Sequence, residues 1–143
     1  MKENNESMTD YEKEGYLSIW LCNTASQDVL FQYLEIEYED EDEDIEDDSI
    51  EFEMGRDFNI SWYDEDFFEA SHKGDMRGWD LLKGHSRMEN IMPLLEQGYQ
   101  DVLNDTYNSV IIFYNFKYDG NVKEVNSNQY GYFKFLGSFE FNF

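Results

Sequence analysis

Carboxylates dominate the chemistry this chain can offer, and one run of them approaches the pattern of a calcium loop. Asp40, Asp42 and Asp44 fall at the first, third and fifth positions of a loop that Glu51 would close at the twelfth, the spacing by which an EF-hand surrounds calcium with oxygens. The sixth position is Ile45, where the sharp turn demands glycine, and the eighth, ordinarily apolar, is Asp47. In a tract this acidic such spacing arises by chance. The run therefore reads as a solvated acidic loop, with an acidic cation- or calcium-binding module as the alternative. A second group, Tyr63-Asp64-Glu65-Asp66 followed by Glu69, holds enough carboxylates for a general acid and base. Acids are so frequent here that their proximity carries little information.

Nucleophiles and metal ligands are scarce. His72 and His85 are the only histidines and stand in no HExxH-like spacing. Cys22, the only cysteine, ends an apolar run and reads as a small core hydrophobe. No GxSxG, GxxxxGK[ST] or GxGxxG segment occurs. The expectation is a protein without enzymatic activity, cofactor or metal.

Composition limits the partners. The chain has 143 residues with 33 acids against 10 bases, a net charge of −23. That length fits one domain, and 41% hydrophobic with 18% aromatic residues supplies a core and argues against disorder. Such a surface is repelled by phosphate backbones and anionic lipid, so neither nucleic acid nor membrane is an expected partner, and a basic protein is. Trp20, Trp62 and Trp79 lack the basic neighbours a base-stacking platform needs, which leaves core packing as their role. A single cysteine permits no internal disulfide, and the N-terminal residues show no apolar signal region. A cytoplasmic location is the expectation. The charge is unevenly spread: residues 35–53 hold 13 acids and no base, while the other 124 residues carry 20 acids against 10 bases.

The elements that must position these groups follow from periodicity. Residues 1–12 are polar without a period and read as a disordered tail, with one domain over 13–143 and an acidic loop at 39–49. Tyr16-Leu-Ser-Ile-Trp-Leu-Cys22 is a strand covered on both faces. Ser26 caps a helix over 27–38 whose apolar stripe is Val29, Leu30, Tyr33 and Leu34, with Phe31 off the stripe. Ser49 caps a short helix holding Ile50, Phe52 and Met54 that Gly55 ends. Residues 58–62 alternate as a strand, and a loop with Gly74 and Gly78 leads to a short helix at Trp79, Leu81 and Leu82. Ser86 would cap a second main helix, kinked or delayed by Pro93. Residues 110–114 form a central strand, and residues after Asp119-Gly120 are too polar for a tight hairpin. In the last strand Phe133, Phe135, Phe139, Phe141 and Phe143 share a core face, and only Leu136 is out of place against a solvent face. The sum is an α+β domain, about four strands packed against two main helices.

Three stretches resemble the bacterial immunity protein 22 family: Gly15-Tyr-Leu-Ser-Ile-Trp-Leu-Cys-Asn23, Asp57-Phe-Asn-Ile-Ser-Trp-Tyr-Asp-Glu-Asp-Phe-Phe-Glu-Ala-Ser71, and Asn108-Ser-Val-Ile-Ile-Phe-Tyr-Asn-Phe-Lys-Tyr-Asp119. Leu81-Leu-Lys-Gly-His-Ser86 falls between them in order. Cys22 stands where that family tends to have glycine, and the run at 39–48 is an embellishment of this chain. The resemblance implies an α+β fold, no enzymatic activity, and an antidote to a cognate polymorphic toxin domain. The charge suits a basic, nuclease-like toxin. Two surfaces are candidates for holding it: Tyr63, Asp64, Glu65, Asp66 and Glu69 at a strand end, and the run containing Asp40, Asp42 and Asp44.

Overall fold

The computed structural model describes residues 11–38 and 50–141. In chain order it comprises β1 (Glu12–Asn23), α1 (Gln27–Leu34), β2 (Glu37–Tyr38), β3 (Ile50–Glu51), α2 (Glu53–Phe58), β4 (Phe68–Arg77), α3 (Gly78–Leu82), α4 (Met88–Leu95), α5 (Gln100–Asn104), β5 (Thr106–Phe116), β6 (Glu124–Ser127) and β7 (Gly131–Glu140). Five strands form one antiparallel sheet in the order β4-β5-β1-β7-β6, and β2 pairs with β3 separately. The fold is α+β, with five strands in the main sheet rather than about four.

The near-continuous apolar run of β1 makes it the central strand, because only a strand covered on both faces can bury every side chain. Leu17, Ile19 and Leu21 enter one layer with Leu81 and Leu82 of α3, Ile91 of α4 and Leu103 of α5. Trp20 and Cys22 enter the other with Leu30 and Tyr33 of α1 and Met54 of α2. Strand β5 divides likewise, Ile111 and Phe113 to one side and Val110 and Ile112 to the other. The two longest helices, α1 and α4, thus lie on opposite faces.

That sandwich changes the reading of the last strand. Ile19 pairs with Gly137 and Trp20 with Phe135, so Leu136 is the extra residue of a bulge. Phe133 and Phe135 pack beside Trp20, whereas Phe139 and Phe141 belong to the opposite layer. Leu136 is the device that gives both faces aromatics, and neither face is left to solvent. A second irregularity pairs Gly15, at φ +88°, with Asn115, at φ +57°, through a 3.1 Å bond from the Gly15 N–H to Asn115 Oδ1.

Several local expectations shift. Helix α1 starts on the Ser26 cap, whose Oγ accepts from the Val29 N–H at 3.1 Å, but it ends at Leu34 rather than residue 38. Helix α2 begins after Phe52 and is ended by left-handed Asn59, not by Gly55. Gly55 lies inside it, where a Cβ would collide with the Phe52 ring and the Ile60 carbonyl. Phe58 therefore closes a helix, and the strand expected at 58–62 is reduced to one bridge at Ile60. The strand forms instead at β4, in the stretch read as a loop around Gly74; its pairing with β5 slips between His72 and Met76, where Gly74 sits at φ +94°. Helix α4 is capped by Arg87 at φ +70° rather than by Ser86, and it keeps Pro93 within its last turn and a half. Residues 124–127, read as too polar for a tight hairpin, pair with β7 as β6, since one half-buried edge strand needs few apolar side chains. The proposed cap Ser49, residues 1–10 of the tail expected at 1–12 and the acidic loop at 39–49 lie outside the described residues, while Glu12 already begins β1.

Candidate functional site

The turn between α2 and β4 carries most of the first candidate surface. Tyr63 is its inner anchor: it is 2% exposed, its ring stacks on Phe113 at 4.3 Å, and its hydroxyl donates to the Leu34 carbonyl at 2.7 Å. Its side chain is occupied by the core, and the acids beyond it form the surface. Asp64 Oδ1 accepts from the Asp66 N–H at 2.9 Å while its carbonyl accepts from the Phe67 N–H at 2.9 Å, a turn that uses the aspartate as its own brace. That turn exposes Glu65, Asp66 and Phe67, the last at 51%.

Glu69, two residues into the turn's exit strand, is the hub of a polar cluster. Its Oε1 accepts from His85 Nδ1 at 2.7 Å and from the Ser86 N–H at 3.1 Å; its Oε2 accepts from Ser86 Oγ at 2.6 Å. Tyr114 donates to Glu69 Oε1 at 3.3 Å and lies 2.8 Å from the Ser86 carbonyl. Burial pushes the Glu69 carboxyl up, but the Ser86 and His85 hydrogen bonds outweigh it and hold the group below the usual glutamate range. Burial, and then the charge of Glu69, raises the Tyr114 phenol well above its ordinary value. His85 Nδ1 faces the carboxylate, and its Nε2 lies 3.1 Å from Ser71 Oγ. Glu69, His85 and Ser71 thus have the connectivity of a Ser-His-acid triad. Glu69 and Ser71 lie two apart on β4, on one face of the strand, and His85 comes from the α3–α4 connection.

Two clefts flank this turn. One of about 270 Å³ is walled by Asp66, Phe67, Glu69, Ser86, Arg87 and Tyr114. The other, of about 370 Å³, lies against α1 and is walled by Asp28, Phe31, Glu35, Tyr63, Glu65 and Phe68. Phe68 lines both, so the turn is a ridge between them. A third cleft of about 520 Å³ beside α3 and α4 mixes signs, with Asp80 3.7 Å from Arg77 and 3.6 Å from Lys83.

Remaining candidates for chemistry are structural. Cys22 is fully buried and its thiol is pushed up by burial, away from the thiolate a nucleophile needs. His72 Nδ1 lies 3.2 Å from Thr24 Oγ1 and 3.1 Å from Ser109 Oγ, in a network that joins β4 and β5 to the residue following β1. Among the described residues no group of three or more His, Cys, Asp or Glu side chains could hold a metal ion. Asp40, Asp42 and Asp44 lie outside the described residues.

Sequence reasoning reached Glu69 but missed its partners, because His85, Ser86 and Tyr114 join it only when β4 pairs with β5. It also missed the α1 wall of the second cleft, for which Phe31's departure from the apolar stripe was the available signal. No helix among the described residues is long and apolar enough to cross a membrane. No curated protein and no solved structure matches the chain. A family model described as Immunity protein 22 matches residues 17–142, nearly the whole sheet and all five helices, and the chain belongs to that family.

Proposed function

We propose that this protein is a cytoplasmic immunity protein that neutralises a cognate polymorphic toxin by covering a basic, nuclease-like surface. Membership of the immunity protein 22 family supports an immunity role. The observation that carries the binding surface is the ridge at 64–69: carboxylates of Glu65 and Asp66 surround the exposed Phe67 between two clefts. An aromatic anchor inside a rim of one charge suits a partner of the opposite charge, since the field speeds encounter and the buried ring slows release. Asp40, Asp42 and Asp44 add negative charge to the chain and act in steering.

The role is binding without catalysis. The Glu69–His85–Ser71 chain has a triad's order, but Glu69 spends both oxygens on Ser86, and Ser71 lines none of the three clefts described above. Its effect is to fasten the α3–α4 connection to β4 and hold the ridge in place.

Co-expression with the C-terminal toxin domain encoded beside this gene tests the proposal. The expected result is rescued growth and a complex that co-purifies, weakened about tenfold or more by Phe67→Ala with Asp66→Asn. Absence of both rescue and complex would overturn it.

A further inference from the structure

We propose that the cleft between α1 and the turn at 63–68 is a receptor for an arginine side chain presented by a basic protein partner. This rests on the reading of the chain as the binder of a basic toxin and adds which chemical group is gripped, and where. Asp28 and Phe31 are exposed on α1, three apart, and exposed Glu35 caps its C-terminus four residues after Phe31, away from the inward Leu30 and Tyr33. Across the cleft stands Phe68, with Glu65 beside it. The space, about 370 Å³, has rings and carboxylates in its wall and, among the described residues, no lysine or arginine.

That combination fits a guanidinium better than other cations. The group is planar and weakly hydrated, stacks on a ring face, and offers paired donors to a carboxylate. A calcium ion would need six or more oxygen ligands, which a wall partly made of two phenylalanine rings does not provide. A lysine ammonium is more strongly hydrated and loses more on entering such a wall. Phe31, 38% exposed, lines this cleft and Phe67, 51% exposed, lies in the acidic turn itself, so apolar area awaits cover where negative charge is concentrated.

The test uses the full chain, labelled with nitrogen-15, and tetra-arginine, tetra-lysine and tetra-citrulline amides as probes. Saturable shifts of the amides at 28–35 and 63–68 are expected with tetra-arginine, at least about fivefold tighter than with tetra-lysine and absent with tetra-citrulline. Phe31→Ala and Glu35→Gln, both at exposed positions, should each weaken tetra-arginine about tenfold while leaving thermal unfolding unchanged, and Glu140→Gln should not weaken it. Shifts confined to other residues, equal affinity for the lysine peptide, or indifference to both cleft variants would overturn the proposal. The co-expressed toxin domain separates the two ideas. If wild type captures no toxin, the immunity reading falls while the peptide result still decides the cleft; if wild type and the Phe31→Ala, Glu35→Gln double variant capture it equally, the cleft proposal falls alone.

Discussion

At the scale of single residues, Glu69 shows how an acid in a chain full of acids acquires an individual role. Four donors converge on its two oxygens, so Glu69→Gln should destabilise the protein by about 1–3 kcal/mol in urea unfolding at neutral pH, against a change within about 0.5 kcal/mol for exposed Asp66→Asn. Because the folded carboxyl titrates below its ordinary value near 4.5, its contribution is complete above that value and disappears as pH falls through the lower folded one. The stability gap between wild type and Glu69→Gln should therefore narrow on acidification; a gap of constant size from pH 7 to about 3 would contradict this. Asp57 behaves oppositely: burial raises its pKa despite the bond from Tyr33, so its ionisation costs stability as pH rises. Trp20 supplies a second contrast. It is fully buried among the rings of Phe58, Phe113, Phe116, Tyr118 and Phe135, yet its Nε1 has no hydrogen-bond partner among the described residues. Trp20→Ala should cost about 3–5 kcal/mol, and Trp20→Phe well under half of that, since it also removes an unsatisfied donor.

At the scale of elements, legibility followed the source of each element's stability. Helix α1 begins where Ser26 says it should because a cap is a local bond. Ser26→Ala should cost about 1 kcal/mol and Ser26→Asp only a few tenths, measured by urea unfolding, with α1 amides exchanging faster in the alanine variant. Strand β4 was not readable from its own residues. Its sequence, Phe68-Glu-Ala-Ser-His-Lys-Gly-Asp-Met-Arg77, has glycine and charges in the middle, and it is a strand because β5 offers an edge to pair with. The apparent strand at 58–62 failed for the converse reason: its alternation is bridged only at Ile60, and Asn59 in the left-handed region turns the chain out of α2. Leu136, the one misfit in the last strand, was the visible sign of the bulge that divides its aromatics between two layers. Ser86 looked like a cap and became a ligand of Glu69, a choice that depends on which surface the α3–α4 connection meets.

At the scale of the whole molecule, a charge of −23 opposes compaction and favours encounter with cations. Raising salt from about 0.01 to about 0.1 M shortens the screening length from about 30 to about 10 Å. The melting temperature of the free protein should rise over that interval, while association with a basic toxin should slow, with dissociation little changed. Neutralising Asp40, Asp42 and Asp44 together should act mainly on the association rate. Neutralising the ridge should act mainly on dissociation, a difference stopped-flow mixing resolves.

Sequence alone determined the sign of the chain's own charge, the lack of a second cysteine for an internal disulfide, the central strands and the start of the first helix. Each of these depends on composition or on bonds between near neighbours. Only the tertiary structure decided the fifth strand, the second covered face of the sheet, and the gathering of Glu69, His85, Ser86 and Tyr114. It also decided that Tyr63 belongs to the core while Phe31 and Phe67 face outward. The added β6 depends on its register against β7, and the other features depend on the antiparallel sheet whose pairings join distant residues such as Phe68 with Phe113. A pairing of that range is decided by the packing of the whole sheet, and no local pattern records it.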